Sequence, residues 1–182
     1  MSKTVYLSGP MIGLTWPEAM GWRRDVSKRL TMLGYDVLVP GRTEERAGTA
    51  YKSMPMPPAS AADLLKLDAL DVRNADILLV NLLQITETMP LVGSSIEIGI
   101  AHALNHTILV IGDKAALHPF IVEAATKVVE TVEEALSWME RIKSYTWAEG
   151  IPDRERLGFP LPHQTHGQRP WQLPVKVNHG SA

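Results

Sequence analysis

The chain has 182 residues, 45% hydrophobic and 21% charged, with a formal net charge of −2 and a pI near 6.3. Such a balance suits one soluble globular unit, and its lack of a strongly basic stretch argues against a nucleic-acid polymer as partner. Cysteine is absent, which removes disulfides, thiol catalysis and Cys-based zinc sites and fits a cytoplasmic location.

Met1 to Thr4 enter a strand directly, so no signal peptide is expected. No apolar run approaches the roughly 20 residues a membrane helix needs, and no membrane partner is expected. Residues 4–8 read as the first strand, ending in the turn Ser8-Gly9-Pro10-Met11. A helix is predicted from Pro17 to about Leu33. Pro17 suits a first turn, Ala19, Trp22, Val26, Leu30 and Leu33 recur at helical spacing, and Gly34 stops it. Asp36 to Val39 form a second strand. Residues 40–60 are proline-rich without periodicity, and so long a loop is usually functional or mobile. Arg42, Arg46 and Lys52 on it could reach a phosphate or simply be solvated.

A second helix runs from Ser60 to about Asn74, with Leu64, Leu67, Ala69, Leu70 and Val72 as apolar candidates. Residues 76–82 are the third strand. After a loop, a helix rich in small residues is predicted from Gly93 to Asn105. Thr107 to Ile111 give a fourth strand and Lys127 to Val129 a fifth. Thr131 opens the last helix, with Glu134 as its capping-box acid. The strands are continuous apolar runs and alternate with helices. That pattern predicts a parallel sheet covered on both faces, an α/β fold in a five-stranded, flavodoxin-like three-layer sandwich.

Residues 146–182 differ: five of the thirteen prolines fall there, without periodicity. The chain therefore divides into an α/β domain over 1–145 and an extended tail over 146–182. Phe159 and Trp171 are costly to leave in water, so the tail is expected to dock, and a neighbouring subunit of a homo-oligomer offers the surface.

Ligands of an open parallel sheet sit at the carboxyl ends of its strands. The turn Ser8-Gly9-Pro10-Met11 and the segment Gln84 to Glu97 follow neighbouring strands in the expected order, so Tyr6, Asp68 and Glu97 can converge. Gly93, Ser94 and Ser95 open the third helix, where free N–H groups and hydroxyls can bind an anion or sugar oxygens. Glu97 is placed in about the first turn. An acid there either complements the helix dipole or serves as a nucleophile, and its spacing alone leaves both open. Asp68 and Asp71 lie one turn apart near the end of the second helix, where acids oppose the dipole. They either face solvent or have a purpose. Asp76 starts the third strand, at the wrong end of the sheet for catalysis, and reads as structural. His102 and His106 share an i, i+4 spacing but lack the accompanying Glu and lie far from the site, so no metal is expected. Gly9, Gly13 and Gly93 form neither a P-loop nor a dinucleotide fingerprint.

Tyr6-Leu7-Ser8-Gly9-Pro10, Asp68 eight residues before Asp76, Asn74-Ala75-Asp76-Ile77-Leu78-Leu79-Val80 and Gly93-Ser94-Ser95-Ile96-Glu97-Ile98-Gly99-Ile100-Ala101 together resemble the nucleoside 2-deoxyribosyltransferase superfamily. The likeness spans residues 4 to about 112. It implies a flavodoxin-like oligomer without metal or organic cofactor, acting on a small nucleoside or nucleotide. It also implies that Glu97 attacks the anomeric carbon, that Tyr6 orients Glu97, and that Asp68 contacts the sugar or helps protonate the departing base. Ser8, Gly9, Pro10, Met11, Gly93, Ser94 and Ser95 would then line the substrate site. Leu91 departs from the pattern. The transferases carry an aspartate there, six residues before the nucleophile, and the related 5′-monophosphate N-glycosidases tend to carry a serine. Hydrolysis of nucleoside 5′-monophosphates is accordingly the runner-up, and a nucleotide-binding module without turnover is the reading from another class.

If the tail docks on a neighbour, truncation after Ser144 should weaken assembly and lower activity together. Light scattering and turnover measurements check this, and unchanged mass and rate would reject it.

Overall fold

The computed structural model describes residues 2–41, 61–84 and 91–148. The apolar runs become strands β1 (Thr4–Ser8), β2 (Asp36–Leu38), β3 (Ile77–Asn81), β4 (Thr107–Ile111) and β5 (Lys127–Val129). They form one sheet in the order β2-β1-β3-β4-β5, with every neighbouring pair parallel. Between them run helices α1 (Trp16–Met32), α2 (Ala61–Asn74), α3 (Val92–Ala103), α4 (Pro119–Ala124) and α5 (Val132–Ala148). This is the expected α/β sandwich. The strand order reverses between β1 and β3, and in open parallel sheets ligands sit at such a reversal, beyond the carboxyl ends of the strands.

The two faces of the sheet carry separate cores. Successive strand residues point to opposite faces. Val5, Leu7, Ile77, Leu79, Leu109 and Ile111 pack under Val26 and Leu30 of α1 and Leu136 and Met139 of α5. Tyr6, Leu78, Val80, Ile108 and Val110 pack under Val72 of α2 and Ile98 and Ala101 of α3. The second face therefore covers Tyr6, whose hydroxyl is carried into an otherwise apolar layer.

The ends of the helices follow local chemistry. Thr15 caps α1 in a capping box: its side chain accepts from the Glu18 N–H while Glu18 returns to the Thr15 N–H at 2.7 Å. Gly34, at φ +81°, closes the same helix, in the left-handed region that favours glycine. Thr131 caps α5 by accepting from the Glu134 N–H at 3.1 Å, but Glu134 reaches back to the N–H of Glu130, one residue before a regular capping box.

Several expectations shift. α1 starts at Trp16 and α3 at Val92, each one residue earlier than read. α4 was not expected: it is a single short helix begun by His118, whose Nδ1 accepts from the Phe120 N–H at 3.2 Å, and by Pro119. On α2 only Val72 of the apolar candidates is buried, whereas Leu67 and Leu70 are about half exposed. Asp71, which read as a solvated acid or one with a purpose, is buried. Asp76 is structural as expected: its carboxylate accepts from the Thr4 N–H at 2.8 Å and pairs with Lys3 at 3.6 Å. Among the described residues no helix is long and apolar enough to cross a membrane. The loop residues Arg42, Arg46 and Lys52 and the tail from residue 149 lie outside the described residues.

Candidate functional site

Tyr6, Asp68 and Glu97 meet beyond the carboxyl end of β1. Tyr6 and Ser8 are two apart on the strand and so share a face, the one turned to α2 and α3. From β1, Tyr6 donates its hydroxyl to Glu97 Oε1 at 2.9 Å, and Ser8 donates to Glu97 Oε2. From α2, Asp68 Oδ1 lies 3.3 Å from the same Tyr6 oxygen. A phenol has one proton, so serving both carboxyls fully requires a further proton on one of them. The three oxygen-bearing groups form a chain, Asp68–Tyr6–Glu97, along which that proton can be placed at either end.

The electrostatics follow from burial. Glu97 is only 8% exposed, and loss of water is the largest influence on it. Its pKa is raised from an ordinary value near 4.5 to about 7. Desolvation and the neighbouring Asp68 charge push it up, while the hydrogen bonds from Ser8 and Tyr6 and the charge of Arg23 hold it down. Burial, followed by the charges of Glu97 and Asp68, holds the Tyr6 phenol far above its ordinary range, so it remains a proton donor throughout the physiological range.

Glu97 is the sixth residue of α3, in its second turn, and the first turn holds no acid. The dipole effect fades within the first turn, so the helix end does little for its charge, and hydroxyls from β1 take that part. The helix start is also unlike the expected one. Its cap position is Leu91, with no side-chain cap. Ser94 is buried, whereas Ser95 and Gly93 are exposed. Ser95 turns instead toward a mainly apolar cavity of about 760 Å³ between α3 and α4, lined also by Ile98, His102, His118 and Phe120. That cavity contains none of Tyr6, Asp68 or Glu97.

The turn after β1 is shaped by glycine. Gly9 has φ +156°, and a Cβ there would stand 2.7 Å from the Asn81 carbonyl oxygen of β3. Glycine lets the two neighbouring strand ends approach closely beside Glu97. Pro10 is buried and Met11 half-buried behind this turn. His106 lies at the opposite end of α3, near Asp76, and burial lowers its pKa. Among the described residues no group of three or more His, Cys, Asp or Glu could hold a metal ion.

Ser8, expected to line the substrate site, donates its hydroxyl to Glu97. The two-residue strand period that pairs it with Tyr6 carried this signal. Arg23, wholly buried beside the same turn, had no such signal, because its helical position reads as an ordinary surface charge.

The sequence profile of the family described as nucleoside 2-deoxyribosyltransferase matches residues 5–149. The chain belongs to this family. Solved structures with the same fold include a conserved protein from Enterococcus faecalis (15% identity, TM-score 0.56, covering 78% of this chain and 99% of that one). A 2-deoxyribosyltransferase from Leishmania mexicana is 18% identical with TM-score 0.55, covering 76% and 97%. One from Bacillus psychrosaccharolyticus is 17% identical with TM-score 0.53, covering 73% and 90%. At these identities the likeness is one of fold. No curated protein matches the chain. Within the nucleoside 2-deoxyribosyltransferase family profile lie all the residues that meet here: Tyr6, Ser8, Asp68 and Glu97.

Glu97 binds its proton more tightly in the folded chain than in the unfolded one. The folded state is therefore penalised as pH rises from about 4.5 to about 7, and by a constant amount above that. Glu97→Gln, which cannot ionise, should gain stability relative to the native chain across that window, by about 1–3 kcal/mol in all. Urea denaturation of both proteins at pH 5 and pH 8 checks this, and an equal difference at the two pH values would contradict it.

Proposed function

We propose that the protein is an enzyme that cleaves or exchanges the N-glycosidic bond of a nucleoside through Glu97. The observation that carries the reading is a buried carboxylate with a hydroxyl donor on each oxygen and a second carboxyl one hydroxyl away. Membership of the nucleoside 2-deoxyribosyltransferase family supports a nucleoside or nucleotide as substrate. The two donors orient Glu97 and make its ionised form available near neutral pH despite burial. A carboxylate fixed this way suits attack on a sugar carbon whose transition state carries positive charge.

In the proposed reaction Glu97 is ionised and Asp68 carries the proton, the transfer between them running through Tyr6. One Glu97 oxygen forms a bond to the anomeric carbon. The bond from that carbon to the base nitrogen breaks, its electron pair goes to the base, and Asp68 supplies the proton. A second base or water then attacks the anomeric carbon: its proton passes to the now ionised Asp68, the new bond to the sugar forms, and the bond to Glu97 breaks with its electron pair returning to the carboxylate. Ser8, Gly9, Pro10, Met11, Gly93 and Ser94 are proposed to shape the substrate site, Ser8 also holding Glu97, while Ser95 lines the cavity between α3 and α4. No metal or organic cofactor enters these steps.

Leu91 keeps the hydrolysis of nucleoside 5′-monophosphates as the second reading, since it supplies neither the aspartate of the transferases nor a phosphate-holding serine. Deoxyinosine offered with adenine, and deoxynucleotides offered alone, separate the two by their products. The catalytic unit is proposed to span residues 1–145, with 146–182 as an extension, in a cytoplasmic homo-oligomer. The exposed Leu67 and Leu70 on the helix of Asp68, with the exposed Val92 and Ile96 on that of Glu97, support a subunit contact near the site.

Glu97→Ala should lower turnover by several orders of magnitude while the fold persists, because a lost nucleophile removes the reaction path. Tyr6→Phe should lower it only about ten- to a hundredfold, the worth of one hydrogen bond to a charged group. Steady-state kinetics with circular dichroism check both. A Glu97→Ala variant with near-native turnover, or a Tyr6→Phe rate within about twofold of native, would contradict the assigned roles.

A further inference from the structure

Arg23 is the largest fully buried side chain of the described residues. A buried guanidinium is costly unless its donors are all engaged, and an apolar side chain would pack between helix and sheet at less cost. Its donors are engaged in one particular way. Nε donates to the Leu7 carbonyl at 3.3 Å and Nη2 to the Gly9 carbonyl at 2.8 Å, while Nη1 donates to the Ala19 carbonyl on its own helix. The guanidinium also lies over the Trp22 ring, 4.7 Å from its centre. Leu7 and Gly9 are the two neighbours of Ser8. Gly9 lies beyond Ser8, the last residue of β1 paired with β3, so its carbonyl is fixed from outside the sheet.

We infer that Arg23 is a positioning residue for the reaction: by gripping the carbonyls on both sides of Ser8 it fixes the Ser8 hydroxyl against Glu97, and it sets a permanent positive charge within reach of Glu97. The inference deepens the proposed role of Glu97 and rests on it. Glu97 is faced by Tyr6 and Ser8 from β1, by Asp68 from α2 and by the charge of Arg23 from α1. Asp68 disfavours its ionisation and Arg23 favours it. Arg23 is the one cation in this set, and its charge does not titrate in the working range.

The test compares the full-length native chain with Arg23→Gln and Arg23→Lys. Lysine keeps the charge but cannot grip three carbonyls with a planar fork. Arg23→Gln should lower kcat about tenfold or more, leave KM within about threefold, and move the acid limb of the kcat/KM pH profile upward by about half a unit. Arg23→Lys should leave the limb within about 0.2 unit of native while kcat still falls. The Glu97 carboxyl carbon, titrated by NMR, should shift in the same direction and by the same amount as the kinetic limb. An unmoved limb and unmoved NMR titration in Arg23→Gln, or loss of the near-UV dichroism in both variants, overturns the inference, the latter because Arg23 would then hold the fold. A native chain without N-glycosidic turnover would sink the proposed function instead. The NMR titration, which needs no turnover, would still decide the effect of Arg23 on Glu97.

Discussion

A carboxylate taken almost wholly out of water at the junction of β1, α2 and α3 is the constraint around which the structure is arranged. Leaving Glu97 there without partners would cost several kcal/mol or force it to stay protonated. Two hydroxyls from one strand offset that cost, and they can do so because Tyr6 and Ser8 alternate onto the same face of β1. The strand order then matters. β1 must lie beside β3, so that α3, which follows β3, brings Glu97 across to β1. The glycine after Ser8 lets these strand ends come close enough.

The same arrangement explains why the carboxylate is poised near neutrality. Desolvation pushes its pKa up strongly, and the donors and a distant cation return only part of the shift. A group that titrates near 7 can hold a proton in the resting state and lose it when the neighbouring carboxyl can take it. Asp68, one hydroxyl away, is placed for that exchange. Two carboxyls are thus bridged by one phenol. Their separation between two elements, α2 and α3, lets each be set independently.

Much of this was legible in the residues. Continuous apolar strands alternating with helices point to a covered parallel sheet, and the observed order β2-β1-β3-β4-β5 is the flavodoxin-like one expected among the few topologies that right-handed crossovers allow. The convergence of Tyr6, Asp68 and Glu97 followed from the same order. What escaped was set by tertiary packing. A helix of six residues, α4, is too short for periodicity to register. Leu67 and Leu70 fit an apolar stripe but are about half exposed, since α2 turns a narrower face inward. Asp71 and Arg23 look like surface charges on their helices, and only the folded structure shows that they are buried. The start of α3 at Val92 moves Glu97 into the second turn, which shifts its support from the helix end to the strand.

The central claim is that Glu97 itself becomes joined to the sugar. A nucleoside carrying fluorine at the 2-position of its sugar slows breakdown of such an intermediate, so it traps the enzyme in the covalent form. Intact-mass and peptide mass spectrometry of the native protein after exposure should show one sugar mass added, carried by the peptide containing Glu97, and none on Glu97→Gln. A sugar mass on a different peptide, or no covalent mass during observed release of base from the probe, would contradict the account.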